Sequence, residues 1–304
     1  MTALGWLWLA AMPPETDPER LLAALRQLQQ QVRTLSCDLE HKSTLGSGKS
    51  RFVMDGPIIR ISSVGPVGNF EYWSDGKITK SISTHSATRR TESRIDVTTN
   101  EFGEGDARKW ALWHVGLFEW GPDGPKAMPV GRKGVHVAEL LMPPNTMKPP
   151  RYDAKERTVR LEITCPFQCV HWTLDLDESR NWQPRRIVKN WCNPPPLAPR
   201  RDVSELVVEE FKEVVPGIAF PVKVVVRGKV GEQDLGDPAT GISRTVFLTN
   251  VRINEPVPAA SLAFHFPPHS EVSDLIQETV MVTDANGDVA GPARSPDGKV
   301  KRVR

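Results

Sequence analysis

The chain has 304 residues, with 39 Lys and Arg set against 37 Asp and Glu, and a net charge of +2 is too even a balance to hold nucleic acid by its phosphates. A hydrophobic content of 39% is enough for a real core and excludes a chain that is disordered throughout. The 27 prolines gather in loops, notably at 143–150 and 194–199, which points to a loop-rich, mostly β protein.

The apolar run at 3–12 is too short to span a bilayer and fits the core of a signal peptide, although no Lys or Arg precedes it. Residues 1–16 are therefore expected to be a leader to the cell envelope; the address is cytoplasmic if the run is not a signal. Asp17 offers an N-cap followed by Pro18 at the first helical position. Leu21, Leu22, Leu25, Leu28 and Val32 then recur at helical spacing and predict an amphipathic helix. Residues 35–42 read as the first strand, followed by strand-like runs at 50–54, 58–64, 70–73, 78–84 and 90–98. Asp55-Gly56-Pro57 and Ser74-Asp75-Gly76-Lys77 are hairpin signals between them, so this part predicts a meander or barrel rather than βαβ units.

A second helix is predicted over 105–118, with Trp110, Trp113 and Leu117 on one face, joined by Phe118 and Trp120. The irregular stretch that follows, to residue 150, has the length of a lid or binding loop. Alternation resumes at 158–165 and 170–177. A turn centred on Arg180-Asn181 would set Leu174 opposite Ile187 and Val170 opposite Trp191. The clearest period-two pattern lies within 202–268. There Phe220, Val222, Val224, Val226 and Val230 fall on one parity, and Lys223, Arg227 and Lys229 on the other. Phe247, Val251 and Ile253 likewise oppose Arg244, Asn250 and Arg252. Val215-Pro216-Gly217-Ile218 is a turn, so these strands should meander antiparallel. The segment 277–304 reads as a largely flexible tail with one strand at 279–283 and a disordered final dozen residues.

Motifs with chemistry are few. Gly46-Ser47-Gly48-Lys49-Ser50 has the end of a phosphate-binding loop but not its first Gly, and a strand rather than a helix should follow. Asp284, Asn286 and Asp288 have Gly at the wrong place for a calcium loop. Cys169 and Cys192 fall opposite each other in the expected hairpin and are the disulfide candidate; zinc held with Cys165 and His171, or free thiols, are the alternatives. There is no G-x-S-x-G elbow and no H-E-x-x-H. Glu209, Glu210 and Glu213 could serve acid–base work, but suit solvation of an outer strand better. No enzyme, metal or cofactor is expected.

The order of helix, β meander, helix-bearing lid region and second meander resembles the bacterial lipoprotein-carrier (LolA-like) superfamily over about residues 18–275. Three phrases carry the likeness: DLDESRNWQPRRI, VEEFKEVVPGIAFPVKV and VRINEPVPAASLAFHFPPHSEVSDL. Ala259-Ala260 and His269 stand where an acidic residue and a Gly would be expected. The resemblance implies an α+β domain over 17–276. Its strongly curved, open antiparallel half-barrel would have about ten or eleven strands, with helices covering the concave face and a Trp-rich lid over 104–150. It further implies a monomer that carries a lipid or acylated lipoprotein. Trp172, Leu174, Phe220, Val222, Val224 and Phe247 would line the cavity, and Trp110, Trp113, Leu117, Phe118 and Trp120 would form the lid. One acyl chain on such a wall would contribute roughly 8–12 kcal/mol gross. Alternation does not distinguish a wall facing ligand from one facing side chains, so a filled core stays open. So does a structural or sensory module that binds an envelope protein through its sheet surface.

Overall fold

The computed structural model describes residues 17–43, 46–65, 68–75, 77–97, 120–121, 124–125, 146–165, 170–192, 201–230 and 242–303. The chain falls into two compact units, the first formed by Met1–Gln31 with His136–Val246 and the second by Val32–Val135 with Phe247–Arg304.

The first unit opens with helix α1 (Pro18–Gln31), which starts where the sequence places its cap. The Glu19 amide donates to the Asp17 carboxylate at 3.0 Å, satisfying one of the free N–H groups of the first turn.

The second unit begins with six strands in meander: β1 (Thr34–Ser43), β2 (Gly46–Asp55), β3 (Ile58–Gly65), β4 (Gly68–Ser74), β5 (Ile78–His85) and β6 (Thr91–Val97). Each pairs antiparallel with the next. The expected turns lie between them: Asp55 pairs with Ile58 around Gly56, whose φ of 55° suits a residue without Cβ. Cys37, Phe52, Ile61 and Tyr72 form one buried cross-strand row, and Leu35, Met54 and Ile59 the next. Gly46 to Ser50 open β2, so the Gly-Ser-Gly-Lys stretch runs into a strand and not into the helix that a phosphate loop requires. A minimal ladder joins β7 (Trp120–Gly121) to β8 (Gly124–Pro125).

The first unit's sheet runs through β9 (Thr146–Met147), β10 (Arg151–Asp153), β11 (Thr158–Cys165), β12 (Val170–Asp177), β13 (Gln183–Cys192), β14 (Arg201–Val215) and β15 (Ile218–Val230). From β10 to β15 every successive pair is antiparallel. Leu174 sits opposite Ile187 and Val170 opposite Trp191, the register expected from the turn. Leu161, Leu174, Ile187 and Leu206 form a buried row across four strands, the core of this unit.

β16 (Ile242–Ile253) begins in the first unit and, from Phe247, belongs to the second. The one-turn helix α2 (Ala259–Leu262) and strands β17 (Glu271–Asp274), β18 (Thr279–Thr283) and β19 (Val289–Pro292) complete the second unit. β17 pairs antiparallel with β18 and, at Ser273 and Asp274, parallel with β6. Where a flexible tail was expected, the chain after residue 277 bridges back onto β18 through Thr279 and Arg302. The turn around Gly287 aligns β18 with β19.

The expected α+β class is corrected. The described residues are nearly all β, and no described helix covers a concave sheet face. The reason is local: the hairpin turns of β1 to β6 are a few residues long, and a turn of that length returns the chain antiparallel without room for a covering helix. The Trp-rich helix expected at 105–118 lies outside the described residues.

Candidate functional site

The second unit carries an open groove of about 290 Å³. Its floor is the face of β1 and β2 opposite the buried row, with Ser36 across from Val53 and Asp38 across from Arg51. Its rim is the end of β16 and the Pro256-Val257-Pro258 segment, which proline stiffens. Two asparagines with positive φ, Asn250 at 52° and Asn254 at 59°, shape that rim, a conformation that Asn tolerates better than most residues. The Asn250 amide donates to Asp38 Oδ2 at 2.7 Å. The Arg33 N–H donates to Asn254 Oδ1 at 2.8 Å, and the Thr34 hydroxyl to the Glu255 carbonyl at 2.7 Å, clamping the segment to the start of β1. Looser ion pairs join Arg51 to Asp38 at 3.8 Å and Arg252 to Glu255 at 3.7 Å. Beneath the floor, burial pushes the Cys37 thiol up to about 12, with the neighbouring Asp38 charge adding to it. It is therefore a protonated, packed side chain rather than a nucleophile.

On the first unit, the sheet face opposite the Leu161–Leu174–Ile187–Leu206 row carries a line of alternating charge. Arg160 donates to both oxygens of Asp175, at 2.7 and 3.0 Å. Arg186 lies 3.6 Å from Asp175 and donates to Glu205 at 2.7 Å; Arg227 donates to Glu205 at 3.4 Å. The hydrogen bonds that Arg160 donates to Asp175 raise its pKa above the ordinary value.

Among the residues expected to wall a cavity, Leu174 and Phe220 are 0% exposed and Val224 is 1%. Trp172 and Val222 are half-buried. Phe247 is half-buried on the face of β16 away from the buried Val246 and Leu248, with the Lys42 ammonium 5.3 Å from its ring centre. Further along β16 it is Ile253 that is buried, so the strand changes phase between 248 and 253. The left-handed Asn250 in that interval accounts for it, as an irregular residue shifts every later side chain to the other face. Trp110, Trp113, Leu117 and Phe118 lie outside the described residues, and Trp120 is described only by its place in β7. Cys169 also lies outside them, while Cys192 pairs with Arg201 at the end of β13. Among the described residues no group of three or more His, Cys, Asp or Glu could hold a metal ion.

The groove was not foreseen. Asn250 and Arg252 do read as the wet parity of their strand, but nothing local couples Asn250 to Asp38, 212 residues away.

No family model matches the chain, and neither does any curated protein. Among solved structures, a DUF1329 family protein from Desulfovibrio piger is similar at a TM-score of 0.46 and 10% identity, over 83% of this chain and 98% of that one. A chain of the Pseudomonas aeruginosa MucA/MucB complex is similar at 0.24 and 10%, over 79% and 100%. MucB in complex with MucA(peri) is similar at 0.23 and 9%, over 78% and 94%. These likenesses are too distant to transfer a property to this chain. No described helix is long and apolar enough to cross a membrane. What the described residues define is a nearly all-β, mainly antiparallel protein with buried apolar rows and polar, ionic surfaces.

Proposed function

We propose that the chain is a non-catalytic binding module of the cell envelope that docks a protein partner through its sheet surface. One observation carries the reading. Leu174, Phe220 and Val224, the side chains suited to grip hydrocarbon, are already packed away from solvent, whereas the groove and the outer charged row are open. Hydrocarbon gains about 0.8 kcal/mol per methylene only against apolar surface that it can reach. A protein partner meets mixed polar and charged surface of the kind that rims ordinary interfaces. The non-catalytic character is supported by the engagement of each charged group in the groove: Asp38 with Asn250 and Arg51, Glu255 with Arg252. The envelope address rests on the apolar run at 3–12.

A lipid or acylated lipoprotein as cargo is the second reading. Trp172 and Val222, half-buried positions of the apolar parity, would be its points of contact. One experiment separates the two. A photo-crosslinking residue is placed at Ser36 in the groove and, separately, at Val188 on the outer face, and the protein is irradiated in the cells that make it. We expect a discrete protein adduct from at least one position, and organic extracts of the purified protein without acyl species. Acyl chains in the extract and no protein adduct would overturn the partner reading in favour of the carrier.

A further inference from the structure

Resting on that reading, we infer that the charged row of the first unit is the docking strip, and that it takes an acidic segment of a partner polypeptide. The row looks balanced in sequence, but its two signs lie at different depths. The side chains of Asp175 and Glu205 are 11% and 14% exposed, while those of Arg160, Arg186 and Arg227 are 49%, 39% and 44% exposed. An approaching molecule therefore meets guanidinium, with the carboxylates sunk beneath it.

The guanidiniums are also held ready. Each has five N–H donors. Arg160 spends Nε and Nη2 on Asp175, Arg186 spends Nε on Glu205 and lies near Asp175 through Nη1, and Arg227 contacts Glu205 through Nη1 alone. Donors remain on all three, and the two-point contacts with the sunken carboxylates hold the planes of Arg160 and Arg186. An incoming carboxylate thus orders little side-chain freedom as it binds, and a fixed fork matches its two oxygens.

Spacing and surroundings narrow the occupant. The arginines stand on alternate strands, β11, β13 and β15, but their heads converge: Arg160 Nη2 and Arg186 Nη1 lie 3.0 and 3.6 Å from the same Asp175 oxygen, and Arg186 and Arg227 share Glu205. Carboxylates one turn apart on a helix, at three or four residues, are neighbours at about 5–6 Å and suit heads gathered in this way. Glu162 and Glu209 share this face, each bonded to a lysine, and the whole chain is only +2. A continuous sheet or string of negative charge, as on an anionic bilayer or a nucleic acid, would press on those carboxylates too; separate acidic side chains on a polypeptide need not.

The test uses the full chain and a fluorescein-labelled glutamate–alanine peptide, followed by anisotropy at low and at physiological salt. The informative variant is R160Q/R227Q, in which Arg186 still donates to Glu205 and lies 3.6 Å from Asp175; its urea midpoint is measured alongside to show that the sheet survives the loss of the Arg160 bonds. K77Q/K155Q removes the same charge from two turns and serves as control. Arginine removal should weaken peptide binding about tenfold or more, the control less than about twofold. Equal loss in both variants, or none, overturns the proposal. So does tighter binding of phosphatidylglycerol vesicles or single-stranded DNA than of the peptide. A protein adduct at Ser36 that survives R160Q/R227Q, with none at Val188, leaves the partner reading standing and removes only this placement.

Discussion

Truncation of Leu174 to alanine separates a filled sheet interior from a ligand-bearing one by magnitude alone. Leu174 is wholly buried, with Leu161 and Ile187 opposite it on the two flanking strands and Leu206 next in the row beyond Ile187. Removal of such a side chain from a packed core loses its transfer free energy and leaves a hole, together about 2–5 kcal/mol. A side chain lining an empty ligand cavity has few partners to lose, and its truncation falls in the surface range, about 0.5 kcal/mol or less. Urea unfolding followed by tryptophan fluorescence reads the difference. With a slope of about 2 kcal/mol per molar, the packed case moves the midpoint down by about 1–2.5 M and leaves the slope unchanged. Phe220→Ala should do at least as much, and Val222→Ala, at a half-buried position, clearly less. If Leu174→Ala and Phe220→Ala both shift the midpoint by less than about 0.3 M, the interior is not solid and the argument against a hydrocarbon cargo fails.

Three further outcomes are expected. Gly287 has a φ of +81°, and a Cβ there would collide with the Phe266 carbonyl; Gly287→Ala should cost about 2–5 kcal/mol, seen as early loss of amide protection at 280–283, and unchanged protection would refute the turn geometry. Cys37, pushed up to about 12 by burial, should resist iodoacetamide at pH 8.5 until denaturant is added; peptide mapping that finds it alkylated in the native protein would contradict its burial. The Asp288 and Asn286 amides hold the Asp284 carboxyl below its ordinary 3.8, so its contribution to stability is full above that value and is lost as pH falls through the lower, folded pKa. Asp284→Asn should therefore flatten the acid limb of the stability profile, and an unchanged limb would show the loop to be open.

Most of the local structure could be read directly. The Asp17-Pro18 start of α1, the turns at Gly56 and Gly217, and the Leu174–Ile187 register depend on residues close in sequence, and each is where its residue types demand. Two things could not be read that way. The phase of β16 depends on the backbone of a single residue, Asn250, which composition marks only as polar. The closure of the second unit depends on partners far apart, Asp38 with Asn250 and β6 with β17. The assigned fold class failed for a related reason. Period-two alternation reports that a strand has one dry face, and it is silent on what makes that face dry.

The two candidate surfaces differ in how firmly their charges are committed. In the groove, Arg51 and Arg252 reach their carboxylates at 3.8 and 3.7 Å, and such open pairs are worth about 0–1 kcal/mol, so a partner can replace either at little cost. On the outer row, the Arg160–Asp175 contact is bidentate and Arg186 joins both sunken carboxylates, so those charges keep their places whether or not a partner is present. Fixed charges steer an encounter and set its register, while replaceable ones can form new bonds once contact is made. Salt should therefore slow association on the row, whereas substitutions in the groove should act on dissociation. Stopped-flow measurement of both rates with an identified partner would expose the opposite pattern if the assignment were reversed.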